Sequence, residues 1–232
     1  MMDRRRRSHP FERRWPGLAD EYPQLRERAE AAVVRWRWAP SDATLHMREP
    51  LFAERIGAPA RGLLRAEPAD KSDVLGYGFD ARDRIVVARL HAFGDRYEDL
   101  FFPSARRVEL VRFGFLDGEP DPVPQGLGEY VYDRGRLVEH RHYGPPIGWS
   151  SERYEYRDGL VVGIEFVAHL PGRETHDHWV AEYDAFGRLT RLREQRTGTV
   201  AVAVERHPPA CVPARRRPSV RWWPDRPRGA RL

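Results

Sequence analysis

VAEYDAFGRLTRLRE, residues Val180–Glu194, reads as a β-hairpin with its turn in the middle. On both sides of Asp184-Ala185-Phe186-Gly187 the side chains alternate in character, as they do when successive residues point to opposite faces of a sheet. The turn carries the residue types that a sharp reversal needs. The Asp184 carboxylate can cap turn amides, and Gly187 accepts a positive φ without steric cost.

Three further segments share this layout: GYGFDARDRIVVAR from Gly76, GEYVYDRGRLVEHR from Gly128 and ERYEYRDGLVVGIEF from Glu152. Each has alternating residues ending in Tyr or Phe, a turn rich in Asp, Gly and Arg, and an aliphatic start to the return strand. The closing aromatics are Phe79, Tyr132, Tyr156 and Tyr183, of which the last three lie 24 and 27 residues apart. The gap of 53 residues before Tyr132 spans two units, with Val108–Phe115 followed by Leu116-Asp117-Gly118 as the worn one. Val86, Ala88, Leu90 and Ala92, like Leu160, Val162, Ile164, Phe166 and Ala168, place an apolar set on one strand face.

The best copy, Tyr183-Asp184-Ala185-Phe186-Gly187-Arg188-Leu189-Thr190, resembles the tyrosine-aspartate (YD) repeat of RHS proteins. Tyr132-Asp133-Arg134-Gly135-Arg136-Leu137 is similar with a turn one residue shorter, and Phe79-Asp80-Ala81-Arg82-Asp83-Arg84-Ile85 has Asp in place of Gly. In Tyr156-Arg157-Asp158-Gly159-Leu160 the Asp and Arg have left their places. The resemblance covers residues 74–196. It implies repeated hairpins in one long antiparallel sheet, which in RHS proteins can curl into a shell. Those proteins are much larger and often exported with a toxin domain, so toxin delivery does not carry over. An accessory or immunity-type role beside an RHS-like system is the narrowest function it implies.

The expected fold is therefore mainly β: an antiparallel meander of roughly eight to ten strands, as a twisted sheet or partly closed barrel, with an N-terminal α-helix against it. Residues 1–16 read as a disordered basic arm, 17–73 as a helix and connecting region packed on the sheet, 74–205 as the β domain and 206–232 as a Pro/Arg-rich disordered tail. The helix is expected over Pro23–Trp38, where Leu25, Ala29, Ala32, Val33 and Trp36 form an amphipathic stripe. Val34–Trp38 also alternates like a strand.

The chain has 232 residues and a formal net charge of +5, but the charge is unevenly placed. Residues 1–16 hold six Arg against Asp3 and Glu12, and residues 206–232 hold eight Arg against Asp225, which leaves 5 − 4 − 7 = −6 for residues 17–205. A nucleic-acid-binding face needs cations gathered on folded surface, so only the Arg-rich ends, the second with Trp222 and Trp223, suit such a partner. The single cysteine, Cys211, excludes an internal disulfide and suits the cytoplasm. No apolar run follows the arginines at the start as a secretory signal requires, and none is long enough to cross a membrane as a helix.

Chemistry-bearing motifs are sparse. Gly148-Trp149-Ser150-Ser151-Glu152 lacks the second glycine of a nucleophile elbow, and the only lysine, Lys71, follows Asp70 rather than a phosphate-binding glycine. Gly126-Leu127-Gly128 reads as a turn. No cofactor motif is present. His140-Arg141-His142 and His176-Asp177-His178 each place two imidazoles on one side of a strand, and together His140, His142, His176 and His178 would supply four nitrogens for a divalent metal, oriented by Asp177, Glu174 or Glu182. Tyr130, Tyr132, Tyr154, Tyr156, Trp179 and Tyr183 form aromatic ladders, and Trp149 stands beside the stiff Gly144-Pro145-Pro146-Ile147-Gly148 loop.

These features support a non-enzymatic cytoplasmic protein-binding or scaffold module that meets another protein through the sheet face and loops near Trp149. A metal-dependent hydrolase built on the four histidines and a glycan-binding module built on the aromatic ladders are the alternatives.

Overall fold

The computed structural model describes residues 10–58, 61–92, 95–115, 121–144, 148–170, 173–196 and 199–205. The arm before Pro10, the segment 206–232 with Cys211, and Leu116-Asp117-Gly118 lie outside them. Twelve strands form one antiparallel sheet in which every strand pairs with its neighbours in sequence. They are β1 (Arg35–Pro40), β2 (Val74–Phe79), β3 (Ile85–Ala92), β4 (Asp95–Pro103), β5 (Arg107–Phe115), β6 (Val123–Asp133), β7 (Arg136–Gly144), β8 (Gly148–Arg157), β9 (Leu160–Leu170), β10 (Arg173–Tyr183), β11 (Leu189–Arg196) and β12 (Thr199–Glu205). The sheet is an open meander, since among the described residues β1 and β12 pair only with β2 and β11. Its twelve strands exceed the eight to ten expected. No helix among the described residues is long and apolar enough to cross a membrane.

The hairpin motif has a local physical basis. Asp80 and Asp184 build the same turn: Oδ1 accepts from the amides of Arg82 and Arg84 in one and of Phe186 and Arg188 in the other, all at 2.9 Å. Oδ2 accepts from Nε of Arg84 at 2.8 Å or of Arg188 at 2.6 Å. The residue before that arginine is left-handed in both, Asp83 at φ 65° and Gly187 at φ 72°, so Asp here fills a place where glycine is the easier choice. The other two hairpins have two-residue turns, Arg134-Gly135 and Asp158-Gly159, with positive φ at both positions, the geometry that matches strand twist.

The closing tyrosines link one hairpin to the next. Tyr156 donates its hydroxyl to the Leu137 carbonyl and Tyr183 to the Val161 carbonyl, each at 2.8 Å. Leu137 is the register partner of Tyr132, and Val161 of Tyr156. Each bond therefore reaches the closing pair of the preceding hairpin. The 53-residue gap holds the β4–β5 hairpin, whose reversal at the same end of the sheet follows Pro103, where the Ser104 amide and hydroxyl both bond to the Arg107 carbonyl. Val108–Phe115 lies on its return strand, and the reversal between β4 and β5 is at Ser104–Arg106.

One face of the sheet is covered by α1 (Pro10–Arg14), a 3-10 turn at Trp15–Gly17 and α2 (Leu18–Ala31). Leu18, Tyr22, Leu25 and Ala29 are the buried stripe of α2 and pack with Val87, Leu100, Val111, Phe113 and Leu127. The helix thus begins before the expected Pro23, because Leu18 and Tyr22 extend the stripe backward. Phe11 and Trp15 also pack there, and Arg14 pairs with Glu21 and Glu109, so helical structure reaches into the segment read as a basic arm. Buried Glu98 ties the helix down through Tyr22 Oη at 2.8 Å and Arg89 Nε at 2.6 Å. The helix stops at Ala31 and Arg35–Pro40 becomes β1, with Trp36 and Trp38 opposite Gly78 and Gly76. A Cβ on Gly76 would stand 2.9 Å from the Trp38 ring, so the bare backbone of β2 makes room for a large aromatic on the edge strand. This is why the strand pattern of Val34–Trp38 prevails over the helical one.

The second face carries the larger apolar cluster, with Tyr77, Phe79, Phe101, Tyr130, Tyr154 and Ile164, and the connecting segment 41–58 lies on it through Ala43, Leu45 and Leu51. That segment holds one short helix, α3 (Phe52–Arg55), flanked by left-handed Leu51 and Gly57. If the tyrosine bonds join hairpins, Tyr156→Phe and Tyr183→Phe should each lower stability in urea unfolding by about 0.5–1.5 kcal/mol. Unchanged midpoints for both would show that the hydroxyls contribute nothing.

Candidate functional site

Beneath the 41–58 segment the sheet is polar where a core is normally apolar. Ala88, Asp99, Arg112 and Gly126 stand in one cross-strand row over β3 to β6. Arg112 clamps Asp99 in two-point fashion, Nε to Oδ1 at 2.6 Å and Nη2 to Oδ2 at 2.7 Å. Next to them Tyr130, His140 and Glu152 form a second row, with the His140 ring stacked on Tyr130 at 4.4 Å and 11°. His142, two residues on, shares that face. A Cβ on Gly126 would collide with His142 Nε2, and one on Gly128 would come within 3.4 Å of His140 Nε2. Gly126-Leu127-Gly128 is thus part of β6 and not the turn its composition suggested, and the bare backbone at Gly126 leaves space for the His142 imidazole.

The cover supplies the matching groups. His46 Nδ1 lies 3.1 Å from Tyr77 Oη, and its Nε2 is 3.8 Å from Asp99. Glu49 reaches His140 Nδ1 at 3.2 Å, and Arg55 grips Glu152 through two bonds of 2.9 and 3.0 Å. Tyr154 Oη completes the Glu152 shell at 2.5 Å. Arg48 donates to the Ile85 carbonyl at 3.0 Å and lies over the Phe101 ring at 4.8 Å.

Burial dominates the protonation of this cluster. It lowers His46, His140 and His142 to about 4, so all three imidazoles are neutral at pH 7. Burial, reinforced by the Glu152 charge, raises Glu49 to about 7. For Asp99 burial acts upward too, but the Arg112 charge and hydrogen bonds outweigh it and hold the carboxylate below its ordinary range.

Beside the cluster lies a cavity of about 470 Å³. Leu75, Ala88 and Leu90 form its floor on β2 and β3, and Asp99, Arg112 and Gln125 form it on β4 to β6; His46, Met47, Phe52 and Ile56 of the cover line its other side. Tyr97 and Ile56, 38% and 58% exposed, mark the solvent side.

The aromatic ladders belong to this covered face. Tyr130 and Tyr154 are buried, Tyr132, Tyr156 and Trp179 pack against the same cluster, and the hydroxyls of Tyr156 and Tyr183 are used between hairpins. They build core and do not form an open stacking platform. His176 and His178 lie on the opposite face from His140 and His142, because the register runs His140, Glu152, Phe166, Asp177 across β7 to β10. The four histidines therefore cannot share one metal, and among the described residues no group of three or more His, Cys, Asp or Glu is arranged to hold one. Glu174 does orient His176, at 2.5 Å, and also meets His169 at 2.6 Å.

Trp149, at the start of β8, is half-buried against His169, ring centroids 4.9 Å apart, on the helix-bearing face. Farther along that face, beyond the reach of α2, Arg153, Glu155, Gly163, Glu165, His176, His178 and Gln195 line an open groove of about 550 Å³. The residues missed from sequence are His46, Glu49, Arg55, Asp99 and Arg112. Their only common signal was a run of titratable side chains inside segments otherwise read as linker or strand.

Fold and site together define an open antiparallel meander with a cavity, apolar at one end and polar at the other, between its sheet and an internal cover. Compared with protein-family models and with curated proteins, the chain matches none.

Removing one member of the Asp99–Arg112 pair strands a buried charge. Arg112→Met should cost about 3–5 kcal/mol in urea unfolding, and Asp99→Asn in the same chain should recover much of it; equal losses in single and double variants would count against a coupled pair. Glu49 has a raised pKa when folded, so its contribution is full below its ordinary 4.5 and is lost as pH rises through about 7. The lowered histidines act the other way, their contribution being present above 6.5 and lost as pH falls through about 4. Glu49→Gln should therefore gain stability relative to wild type as pH rises from 4.5 to 7, measured by unfolding at stepped pH. A pH-independent difference would refute the raised value.

Proposed function

We propose that the protein is a non-enzymatic binding module that holds a small molecule in the cavity between its sheet and the 41–58 segment. The single observation that carries this reading is the cavity itself. It has the size, the mostly apolar lining and the few convergent polar groups of a ligand site. It also adjoins a cluster of buried titratable groups, and such groups gather at functional sites more than a stable core would require.

A second reading has its own support. The open groove beyond α2, with Trp149 on the same face, is lined by charged and polar residues and left without a cover by the described residues, which suits docking of another protein. A partner from an RHS-like system is the narrowest form of that reading and rests on the YD resemblance.

One experiment separates the two. A fragment library screened by protein-observed NMR should give shifts at Leu75, Leu90, Tyr97 and Gln125, and Leu90→Trp should abolish them. Shifts confined to Glu155, Glu165 and His178 that survive Leu90→Trp would move binding to the groove and overturn the cavity reading.

A further inference from the structure

The cavity is chemically graded along the strand order. Over β2 and β3 its floor is Leu75, Ala88 and Leu90, faced by Met47, Phe52 and Ile56. Leu75 and Leu90 are register partners, and Leu90 in turn faces Tyr97, so the apolar side chains form a continuous strip. Over β4 to β6 the floor changes to Asp99, Arg112 and Gln125.

The polar end carries no uncompensated charge. Asp99 gives both oxygens to Arg112, and His46 is neutral at pH 7 because burial lowers it to about 4. Asp42, on the rim, is held by Arg61 at 2.9 Å. A charged ligand head would thus give up its hydration without meeting a free counter-ion, which is costly in a partly dry site. A neutral head would meet hydrogen-bonding groups that remain available. Among the described residues the Gln125 side-chain amide has no hydrogen-bond partner. It lies over Gly114, where a Cβ would come within 3.1 Å of Nε2, so the missing side chain on β5 lets the amide lie flat along the cavity wall. An amide offers both a donor and an acceptor.

We infer that the cavity takes an uncharged amphipathic ligand, with an apolar chain or ring over Leu75 and Leu90 and a neutral hydrogen-bonding head, such as an amide, at Gln125 beside the Asp99–Arg112 pair. The inference rests on the cavity reading above and specifies its ligand class.

The test uses three probes with the same apolar chain, octanamide, octanoate and octylamine, titrated calorimetrically into the full-length protein at pH 7. Octanamide should bind at least about tenfold more tightly than either ion, and Gln125→Glu should move the preference toward octylamine by roughly tenfold. Gln125 is only half-buried, so this variant should fold even if Leu90→Trp does not. Octanoate or octylamine binding as tightly as octanamide would overturn the neutral class while leaving the cavity reading intact. Octanamide binding that persists in folded Leu90→Trp, or an unchanged preference in Gln125→Glu, would place the probe elsewhere and overturn the inference. Binding of none of the three would overturn both the inference and the cavity reading.

Discussion

Each strand of an open sheet has two faces, and a single chain has to cover enough of both to hold the sheet in water. Here the two covers come from the same stretch of sequence, before and after β1. The α1–α2 unit lies on one face, and the 41–58 segment crosses to the other. Between them β1 pairs to the edge of β2, which fixes the point where the chain changes sides. Neither cover spans the whole sheet. The helix reaches β3, β4 and β6, and the surface beyond it, over β8 to β11, remains an open groove lined by charged and polar residues.

The two covers hold on by different chemistry. The helix docks as an amphipathic helix ordinarily does, with an apolar stripe and one buried carboxylate, Glu98, as an anchor. The 41–58 segment is too short and irregular for such a stripe. Its hold combines a few apolar contacts with the Arg55–Glu152 clamp, the Glu49–His140 contact and the His46–Tyr77 contact. Buried ionic and imidazole groups contribute little net stability for the desolvation they require. Their concentration under this one segment, next to a cavity, is what sets this face apart from a plain packing surface.

The hairpin resemblance acquires a mechanical meaning from the same geometry. In the Asp80 and Asp184 turns the Asp caps the turn and an Arg returns to it, and Tyr156 and Tyr183 bond back to the preceding hairpin. These three roles are local or reach only the neighbouring hairpin, so a hairpin of the sheet can close without them. At Ser104–Arg106 a serine hydroxyl and a backbone bond close the turn instead.

Because a hairpin is written in adjacent residues, the antiparallel meander, the turns at Asp80, Asp133, Asp158 and Asp184, and the presence of an N-terminal helix were all legible in the sequence. Period-two alternation and positive-φ turn residues act over a few positions and need no distant partner. The candidate site was hardly legible for the opposite reason. His46, Glu49 and Arg55 are brought to Asp99, Arg112, His140 and Glu152 only when the connecting segment crosses the folded sheet. The histidine pairs looked alike in sequence, yet register alone decided that one pair is buried under the cover and the other faces solvent. Gly126 carried no sign of the imidazole it makes room for. Local rules fixed which residues form strands, and tertiary packing decided which face of each strand became core, cavity or open surface, because a strand's alternation marks two faces without saying what will cover either one.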